Sequence, residues 1–161
     1  MESTGLAQAV GERLKKCGMM LVTAESCTGG WVAQEITAIP GSSTWFERGF
    51  VTYTNTAKQE MLDVSLGTLE KHGAVSEETA REMAVGALQH SHGQIALAVS
   101  GVAGPTGGSM LKPVGTVCFG WARKGAEPVT CKMLFPGDRE AVRRQAVASA
   151  LRGVLDLLND C

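Results

Sequence analysis

Hydrophobic positions along the chain switch repeatedly between helical and strand-like spacing. Over residues 4–17 the apolar side chains recur three and four positions apart, which is typical of an amphipathic helix, and the pattern ends at Gly18. A short apolar run over 19–24 then predicts a buried strand. Helical spacing returns over 28–39, where a proline and a glycine end it. The first quarter of the chain therefore predicts a helix, a strand and a second helix.

The rest of the chain continues this alternation of strands and helices, but near its end two strands follow each other directly. A polar hexapeptide separates the last two apolar runs, which is typical of an antiparallel hairpin. The further predicted elements are a strand over 48–53, a helix from its cap Asn55 to Leu62, a helix ending near His72, a helix from Ser76 to about His90, a strand over 95–99, strands over 114–122 and 129–135, and a last helix beginning at Asp138. Early alternation followed by a hairpin predicts one three-layer α/β/α domain over residues 1–161, with a mixed, mostly parallel sheet.

Composition narrows the function classes. The chain has 161 residues, of which 19% are charged, and a formal net charge of -1, so we expect no basic surface for nucleic acid. It contains no apolar run of the ~18 residues that would cross a bilayer, and it begins without a basic segment followed by an apolar one. We therefore expect a cytoplasmic protein. Five scattered cysteines without a CxxC pair argue against a disulfide framework and a zinc site, and predict reduced thiols.

The segment 21–31 is the best candidate for a reactive centre. Apolar residues lead into a polar elbow and a glycine pair, which predicts a strand, a tight turn and a helix N-terminus. Ser26 lies in this elbow, where free amides near Thr28 and Gly29 can hold an oxyanion, so we interpret it as a nucleophile. Two alternatives stay open: Ser26 or Thr28 only caps the helix, or the neighbouring Cys27 is the nucleophile.

A serine nucleophile needs a base within hydrogen-bond reach. His90 and His92 precede a strand and so belong to the sheet edge opposite the one where sites of α/β proteins lie. Lysine can replace histidine when burial lowers its pKa. Lys58 and Tyr53 follow a strand at the same carboxyl edge as Ser26, and a phenol can orient the amine or relay its proton. Alternatively, Lys58 is a solvated helix residue and Tyr53 packs on the core.

Two further segments are candidates for ligand binding. The loop over 100–109 is rich in glycine, which permits close approach of a ligand, but it lacks the GK[ST] of an ATP-binding loop. Arg139 and Arg143 are four residues apart on one predicted helix face and can bind a phosphate or a carboxylate, unless they only pair with neighbouring acids. Glu25 and Asp63 have no clustered ligands around them, so we expect neither a metal nor an organic cofactor.

Taken together, the ordered motifs resemble the CinA C-terminal domain family over nearly the whole chain. The matching segments are TAESCTGGWVA at 23–33, GSSTWFERGFVTYTN at 41–55, Lys58, HGAVS at 72–76, SGVAGPTGG at 100–108, KPVGTV at 112–117 and GDREAVRRQA at 137–146. The resemblance implies the three-layer α/β/α fold and a stand-alone form without the further N-terminal domain of longer members. It also implies an amidohydrolase that converts nicotinamide mononucleotide into nicotinic acid mononucleotide and ammonia, in pyridine nucleotide recycling.

The resemblance also implies roles for individual residues. Ser26 matches the nucleophile, and Tyr53 and Lys58 match the residues that activate it. Arg139 is best suited to the 5′-phosphate; the other expected substrate contacts are Ser43, Ser100 and Thr106. We expect a small-molecule substrate and a homo-oligomer, with neither nucleic acid nor membrane as partner. Two alternatives remain: a non-catalytic module that binds a nucleotide or a partner protein, and an amidohydrolase that acts on another amide.

Overall fold

Five strands lie in one sheet in the computed structural model, which describes residues 2–161. They are β1 (Leu21–Glu25), β2 (Phe46–Val51), β3 (Ile95–Gly101), β4 (Thr116–Arg123) and β5 (Val129–Leu134). The helices are α1 (Ser3–Cys17), α2 (Trp31–Thr37), α3 (Asn55–Leu62), α4 (Leu66–His72), α5 (Glu77–Gln89) and α6 (Arg139–Leu157), and Ser42–Thr44 form one 3-10 turn. All of the predicted strands are present within a few residues of their expected bounds.

The sheet is mixed, with the strand order β2-β1-β3-β4-β5. The strand β1 pairs in parallel with β2 and with β3, whereas β4 runs antiparallel to both of its neighbours. The predicted hairpin is therefore β4 and β5. Because β1, β2 and β3 point the same way, their carboxyl ends meet at one edge of the sheet, which we call the carboxyl edge.

Helices cover both faces of the sheet, so the predicted three-layer α/β/α domain is confirmed. Along β3 the larger side chains Ile95, Leu97 and Val99 pack with residues of α1, α2 and α6. The alternate residues Ala96 and Ala98 face the other way, toward α3, α4 and α5. Small residues on this second face let the helices come close to the sheet and to one another.

Two details of the helix boundaries differ from the expectation. Thr54, rather than Asn55, is the cap of α3, because its hydroxyl accepts a hydrogen bond from the amide of Ala57. The helix expected over 28–39 is the shorter α2, because residues 26–30 form a turn before the helix begins at Trp31. Both differences lie at the carboxyl edge. The late start of α2 lengthens the turn that carries Ser26.

The prediction of reduced thiols is wrong for one pair of cysteines. Cys17 ends α1, Cys161 ends the chain after α6, and the two form a disulfide across 144 positions of sequence. The packing of α1 against α6, with the C-terminal ends of both helices side by side, brings these distant residues together, so no local spacing could predict the pair. Cys27, Cys118 and Cys131 are free thiols. Among the described residues, no helix is both long and apolar enough to cross a membrane.

Candidate active site

Ser26 and Lys58 meet at the carboxyl edge of the sheet. Ser26 directly follows β1, and its amide donates to the carbonyl of Val99 in the neighbouring strand β3. Lys58 lies in the first turn of α3, which follows β2. The hydroxyl oxygen of Ser26 and the amine nitrogen of Lys58 are 2.9 Å apart. The geometry therefore brings the candidate nucleophile and the candidate base into direct contact.

The surroundings of Lys58 lower the pKa of its amine. Its side chain is only 1% exposed, which excludes the alternative of a solvated surface lysine. Burial lowers the pKa of the Lys58 amine, because a charged ammonium loses its hydration there. The amine also donates to the carbonyls of Thr52 at 3.0 Å and Tyr53 at 3.1 Å. In the structure the amine also donates to the Ser26 hydroxyl, which in turn donates to the carbonyl of Tyr53 at 3.4 Å. When the amine is neutral, its two N–H groups can satisfy the two carbonyls, and its lone pair can accept the proton of the Ser26 hydroxyl.

Tyr53 takes part in the site in a different way from the one expected. Its main-chain carbonyl accepts from Lys58, whereas its phenol oxygen accepts a hydrogen bond of 3.2 Å from Arg139. The side chain is 60% exposed and so does not pack on the core. The phenol therefore does not contact the amine as a proton relay requires, because the side chain leaves the backbone toward α6.

Cys27 is a poor alternative nucleophile. Its side chain is buried with the apolar core, and burial raises the pKa of its thiol to about 12. A thiol with that pKa is protonated at neutral pH, and only the thiolate attacks efficiently. The structure therefore favours the Ser26 hydroxyl over the adjacent sulfur.

A pocket of about 160 Å³ opens beside the Ser26–Lys58 pair. Five of the expected site residues line it, together with loop residues after α4 and β3. The lining residues are Ser26, Cys27, Tyr53, Lys58, Ala74, Val75, Ser100, Gly101, Ala103 and Arg139. The hydroxyl of Ser100 donates to the carbonyl of Ala74, which ties β3 to the segment after α4.

Four other expected residues lie outside this pocket or contact it differently. Ser43 is exposed in the 3-10 turn that precedes β2, and therefore lies at the opposite edge of the sheet from Ser26. Thr106 is exposed in the glycine-rich loop. The hydroxyl of Thr28 is buried and donates to Glu25 at 2.5 Å, and the amide of Gly29 closes the turn by donating to the carbonyl of Ser26. The structure does not bring the Ser43 and Thr106 side chains to the pocket.

The Gly29 amide is thus already committed, and other amides of the turn are free. The amides of Cys27 and Thr28 have no acceptor on another residue of the described chain. Two successive free amides next to a nucleophile can stabilise the negative charge of a tetrahedral intermediate. The oxyanion donors are therefore better assigned to the amides of Cys27 and Thr28 than to those of Thr28 and Gly29.

The two candidate arginines of α6 make different contacts. Arg139 is exposed at the rim of the pocket, where it donates to the carbonyl of Gly104 and to the Tyr53 phenol. Arg143 lies one turn further along and donates to the carbonyls of Cys27 and Thr28, each at 3.1 Å. Only Arg139 lines the pocket and can reach a ligand there.

The histidines do not belong to the site. His90 pairs with Asp63 at the amino edge of the sheet, and His72 pairs with Glu78, in both cases with partly exposed side chains. None of the three histidines lines the pocket. In residues 2–161, the structure also shows no group of three or more histidine, cysteine and acidic side chains that could hold a metal ion.

Sequence reasoning considered Glu25 only as a metal ligand and missed its role at the site. Glu25 is fully buried, and its carboxylate accepts from the amides of Val32 and Ala33 as well as from Thr28. Glu25 therefore caps α2 from the strand that precedes it. An acidic residue shortly before a helix is a signal of this kind, because helix N-termini stabilise negative charge.

Comparison with known proteins shows to which family this chain belongs. The model of the CinA C-terminal domain matches residues 3–158. The chain belongs to the CinA C-terminal domain family. It is 56% identical over 147 residues to nicotinamide-nucleotide amidohydrolase PncC of Escherichia coli K12, covering 91% of this chain and 89% of that protein. To PncC of Pseudomonas putida it is 50% identical, over 96% of both chains.

Solved structures of CinA proteins have the same fold. The competence/damage inducible protein CihA of Agrobacterium tumefaciens superimposes with a TM-score of 0.94 and 44% sequence identity, covering 98% of this chain and 95% of that one. The fold of this chain is therefore shared over nearly its whole length by a solved relative.

Proposed function

We propose that this CinA domain is an amidohydrolase that deamidates nicotinamide mononucleotide to nicotinic acid mononucleotide and ammonia, in pyridine nucleotide recycling. The observation that carries the proposal is the 2.9 Å contact between Ser26 and a buried lysine in a pocket with an arginine at its rim. Relatives that are 50% and 56% identical over most of the chain are named nicotinamide-nucleotide amidohydrolases, which supports the same substrate here.

The first half of the reaction forms an ester on the enzyme. Neutral Lys58 takes the proton of the Ser26 hydroxyl while the serine oxygen bonds to the carboxamide carbon of the pyridine ring. The amides of Cys27 and Thr28 stabilise the resulting oxyanion. The C–N bond then breaks, and the Lys58 ammonium returns its proton to the leaving nitrogen, so that ammonia departs.

The second half hydrolyses that ester. Lys58 is neutral again and takes a proton from a water molecule, whose oxygen attacks the ester carbon. The bond between this carbon and the serine oxygen breaks, and the ammonium of Lys58 protonates Ser26. The product is nicotinic acid mononucleotide, and the enzyme returns to its starting state. All of these proton transfers use one amine, which the carbonyls of Thr52 and Tyr53 hold in place.

The size of the pocket favours a substrate that enters only in part. A volume of about 160 Å³ is below the ~300–1,000 Å³ of sites that enclose a drug-sized ligand. We expect the pocket to take the nicotinamide ring, and the ribose phosphate to lie over the rim. There Arg139 separates the pocket from a neighbouring groove of about 480 Å³.

Arg139 is the best candidate for the phosphate at that rim. The two acidic side chains of the groove are already engaged, since Asp138 caps α6 through the amide of Ala141 and Glu140 pairs with Arg144. We assign Tyr53 to this end of the substrate as well, because its phenol contacts Arg139. Ser100 lines the pocket, and we expect it to contact the ring. A role for Ser43 or Thr106 stays a prediction, as do cytoplasmic localisation and a homo-oligomer.

Ammonia release from nicotinamide mononucleotide by the purified protein tests this function. We expect stoichiometric formation of ammonia and nicotinic acid mononucleotide, and no reaction with Ser26→Ala. Binding of the nucleotide without any release would favour the alternative of a non-catalytic nucleotide-binding module. Release from a different pyridine or nucleotide amide, but not from this one, would keep the chemistry and replace the substrate.

A further inference from the structure

The turn that carries Ser26 is held from two sides by charged side chains with no direct part in the proposed chemistry. Glu25 lies on the side of α2, and Arg143 approaches from α6. Their contacts converge on Cys27 and Thr28, two neighbouring residues whose amides have no acceptor on another residue of the described chain. The contacts of Glu25 and Arg143 determine where the amides of Cys27 and Thr28 point.

Glu25 fixes the turn through its side-chain and helix contacts. One carboxylate oxygen accepts from the Thr28 hydroxyl at 2.5 Å and from the amide of Val32 at 2.8 Å, and the other accepts from Ala33 at 3.0 Å. Because Glu25 is fully buried, its hydrogen bonds do not compete with water. Thr28 is therefore tied both to the end of β1 and to the first turn of α2.

Arg143 fixes the same turn by hydrogen bonds to main-chain carbonyls of the turn. Its guanidinium donates to the carbonyls of Cys27 and Thr28, and it lies over the ring of Trp31 at 5.3 Å from the ring centroid. In a planar trans peptide the C=O and the next N–H point in opposite directions. Holding the Cys27 carbonyl therefore turns the Thr28 amide away from Arg143. In the same way, the Ser26 carbonyl, held by the Gly29 amide, orients the amide of Cys27.

We propose that Arg143 and Glu25 are positioning residues that hold the Cys27 and Thr28 amides in the orientation that receives the oxyanion. This inference rests on the proposed function, because it assigns these amides to a Ser26-centred reaction. Neither side chain is among those that line the pocket. Their effect therefore passes through the peptide groups of the turn and not through contact with substrate.

The inference predicts a specific kinetic signature. Oxyanion donors act on the transition state more than on the bound substrate, so misplacing them lowers kcat and leaves KM nearly unchanged. Loss of one such donor costs about 100- to 1000-fold in kcat. Since removal of Arg143 frees the peptide groups without deleting an amide, we expect a smaller loss, of about 10- to 100-fold.

Arg143→Ala and Arg144→Ala form a matched pair for the test. Both arginines lie over Trp31, at 5.3 and 5.9 Å from its ring centroid, but Arg144 is exposed and pairs only with Glu140. We expect Arg143→Ala to lower kcat by about 10- to 100-fold with KM changed by less than about threefold, and Arg144→Ala to match the wild type. The two variants should have similar melting temperatures. Equal kcat values in the two variants, or a loss found in KM alone, would overturn the inference.

A second measurement separates this inference from the proposed substrate. A fluorophosphonate probe labels an activated serine without any amide substrate, and its labelling also develops negative charge on oxygen. We expect slower labelling of Ser26 in Arg143→Ala than in Arg144→Ala. Wild-type labelling without ammonia release would refute the proposed substrate while this comparison still tests Arg143. Equal labelling rates in both variants, or no labelling of Ser26 in the wild type, would overturn the inference.

Discussion

Polar side chains are buried at the carboxyl edge of the sheet and exposed at the opposite edge, which we call the amino edge. At the carboxyl edge, Ser26 and Lys58 are buried and contact each other. At the amino edge, His90 and Asp63 form an exposed pair, and Ser43 lies in an exposed turn. An exposed ion pair contributes little to stability, whereas burial lowers the pKa of the Lys58 amine and so favours its basic, neutral form. The reactive groups are therefore at the edge that removes water from them.

The largest expected difference between the two edges follows from removing a serine at each. Ser26→Ala removes the nucleophile, so we expect ammonia release to fall by about a thousandfold or more. Ser91→Ala is the matched control at the amino edge, where this hydroxyl accepts only from the amide of Gly93. Its turnover should equal that of the wild type. Steady-state assays on both folded variants make the comparison, and substantial turnover by Ser26→Ala would refute the nucleophile.

Arg139 tests whether the rim of the carboxyl edge holds the phosphate. A hydrogen bond to a charged group contributes about 1.5–3 kcal/mol, so Arg139→Ala should raise KM for nicotinamide mononucleotide by about 10- to 100-fold. The corresponding riboside lacks the phosphate and should show a much smaller change. Arg144→Ala is the control on the same helix. An equal effect of Arg139→Ala on nucleotide and riboside would place the phosphate elsewhere.

The pH dependence of turnover reports the burial of Lys58. The active form is the neutral amine, and burial lowers the pKa of that amine below its ordinary value. The ratio kcat/KM should therefore rise about tenfold per pH unit below this pKa and level off above it, with a midpoint below that of a solvated lysine. A ratio that falls as pH rises across this range would contradict a lysine base. His90→Gln, at the amino edge, should leave the midpoint unchanged.

The same burial has a consequence for stability. Because the folded protein holds Lys58 with a lowered pKa, the unfolded chain binds more protons between the folded and the unfolded pKa values. This residue therefore disfavours folding at lower pH, and its contribution improves as pH rises through that window. Lys58→Met keeps an apolar stem and should remove this part of the pH dependence of the free energy of unfolding, measured by urea denaturation.

The smallest expected effect concerns Cys27. Its buried thiol has a pKa of about 12, so it should contribute no nucleophile at neutral pH. Cys27→Ser should retain turnover within about threefold of the wild type, because the amide of residue 27 is unchanged. The contradicting result would be a thiol reagent that inactivates the wild type as fast as it modifies Cys27 and does not inactivate Cys27→Ser.

Much of the fold could be predicted from the sequence because its signals are local. Apolar periodicity placed β3 and the hairpin of β4 and β5, and residues such as Gly18 and Asp138 marked helix ends. The disulfide between Cys17 and Cys161 could not be predicted, because it depends on how α1 and α6 pack and not on any spacing.

The site was predictable at the level of the backbone and less so at the level of side chains. The order of strands and helices, with the family resemblance, is enough to bring Ser26 and Lys58 to one edge. It does not say that the phenol of Tyr53 leaves the backbone toward Arg139, or that the Gly29 amide is used within the turn. Those outcomes depend on side-chain rotamers and on hydrogen bonds inside a few residues, which a pattern of residue types does not record.

Chemical rescue of Lys58→Ala by a small primary amine tests most directly whether an amine activates Ser26. The variant alone should lose about a thousandfold or more in turnover. Added propylamine should restore part of it in proportion to the concentration of the unprotonated amine, and it should restore nothing in Ser26→Ala. Near-normal turnover of Lys58→Ala without any amine, or rescue that follows the protonated amine instead, would contradict a lysine base.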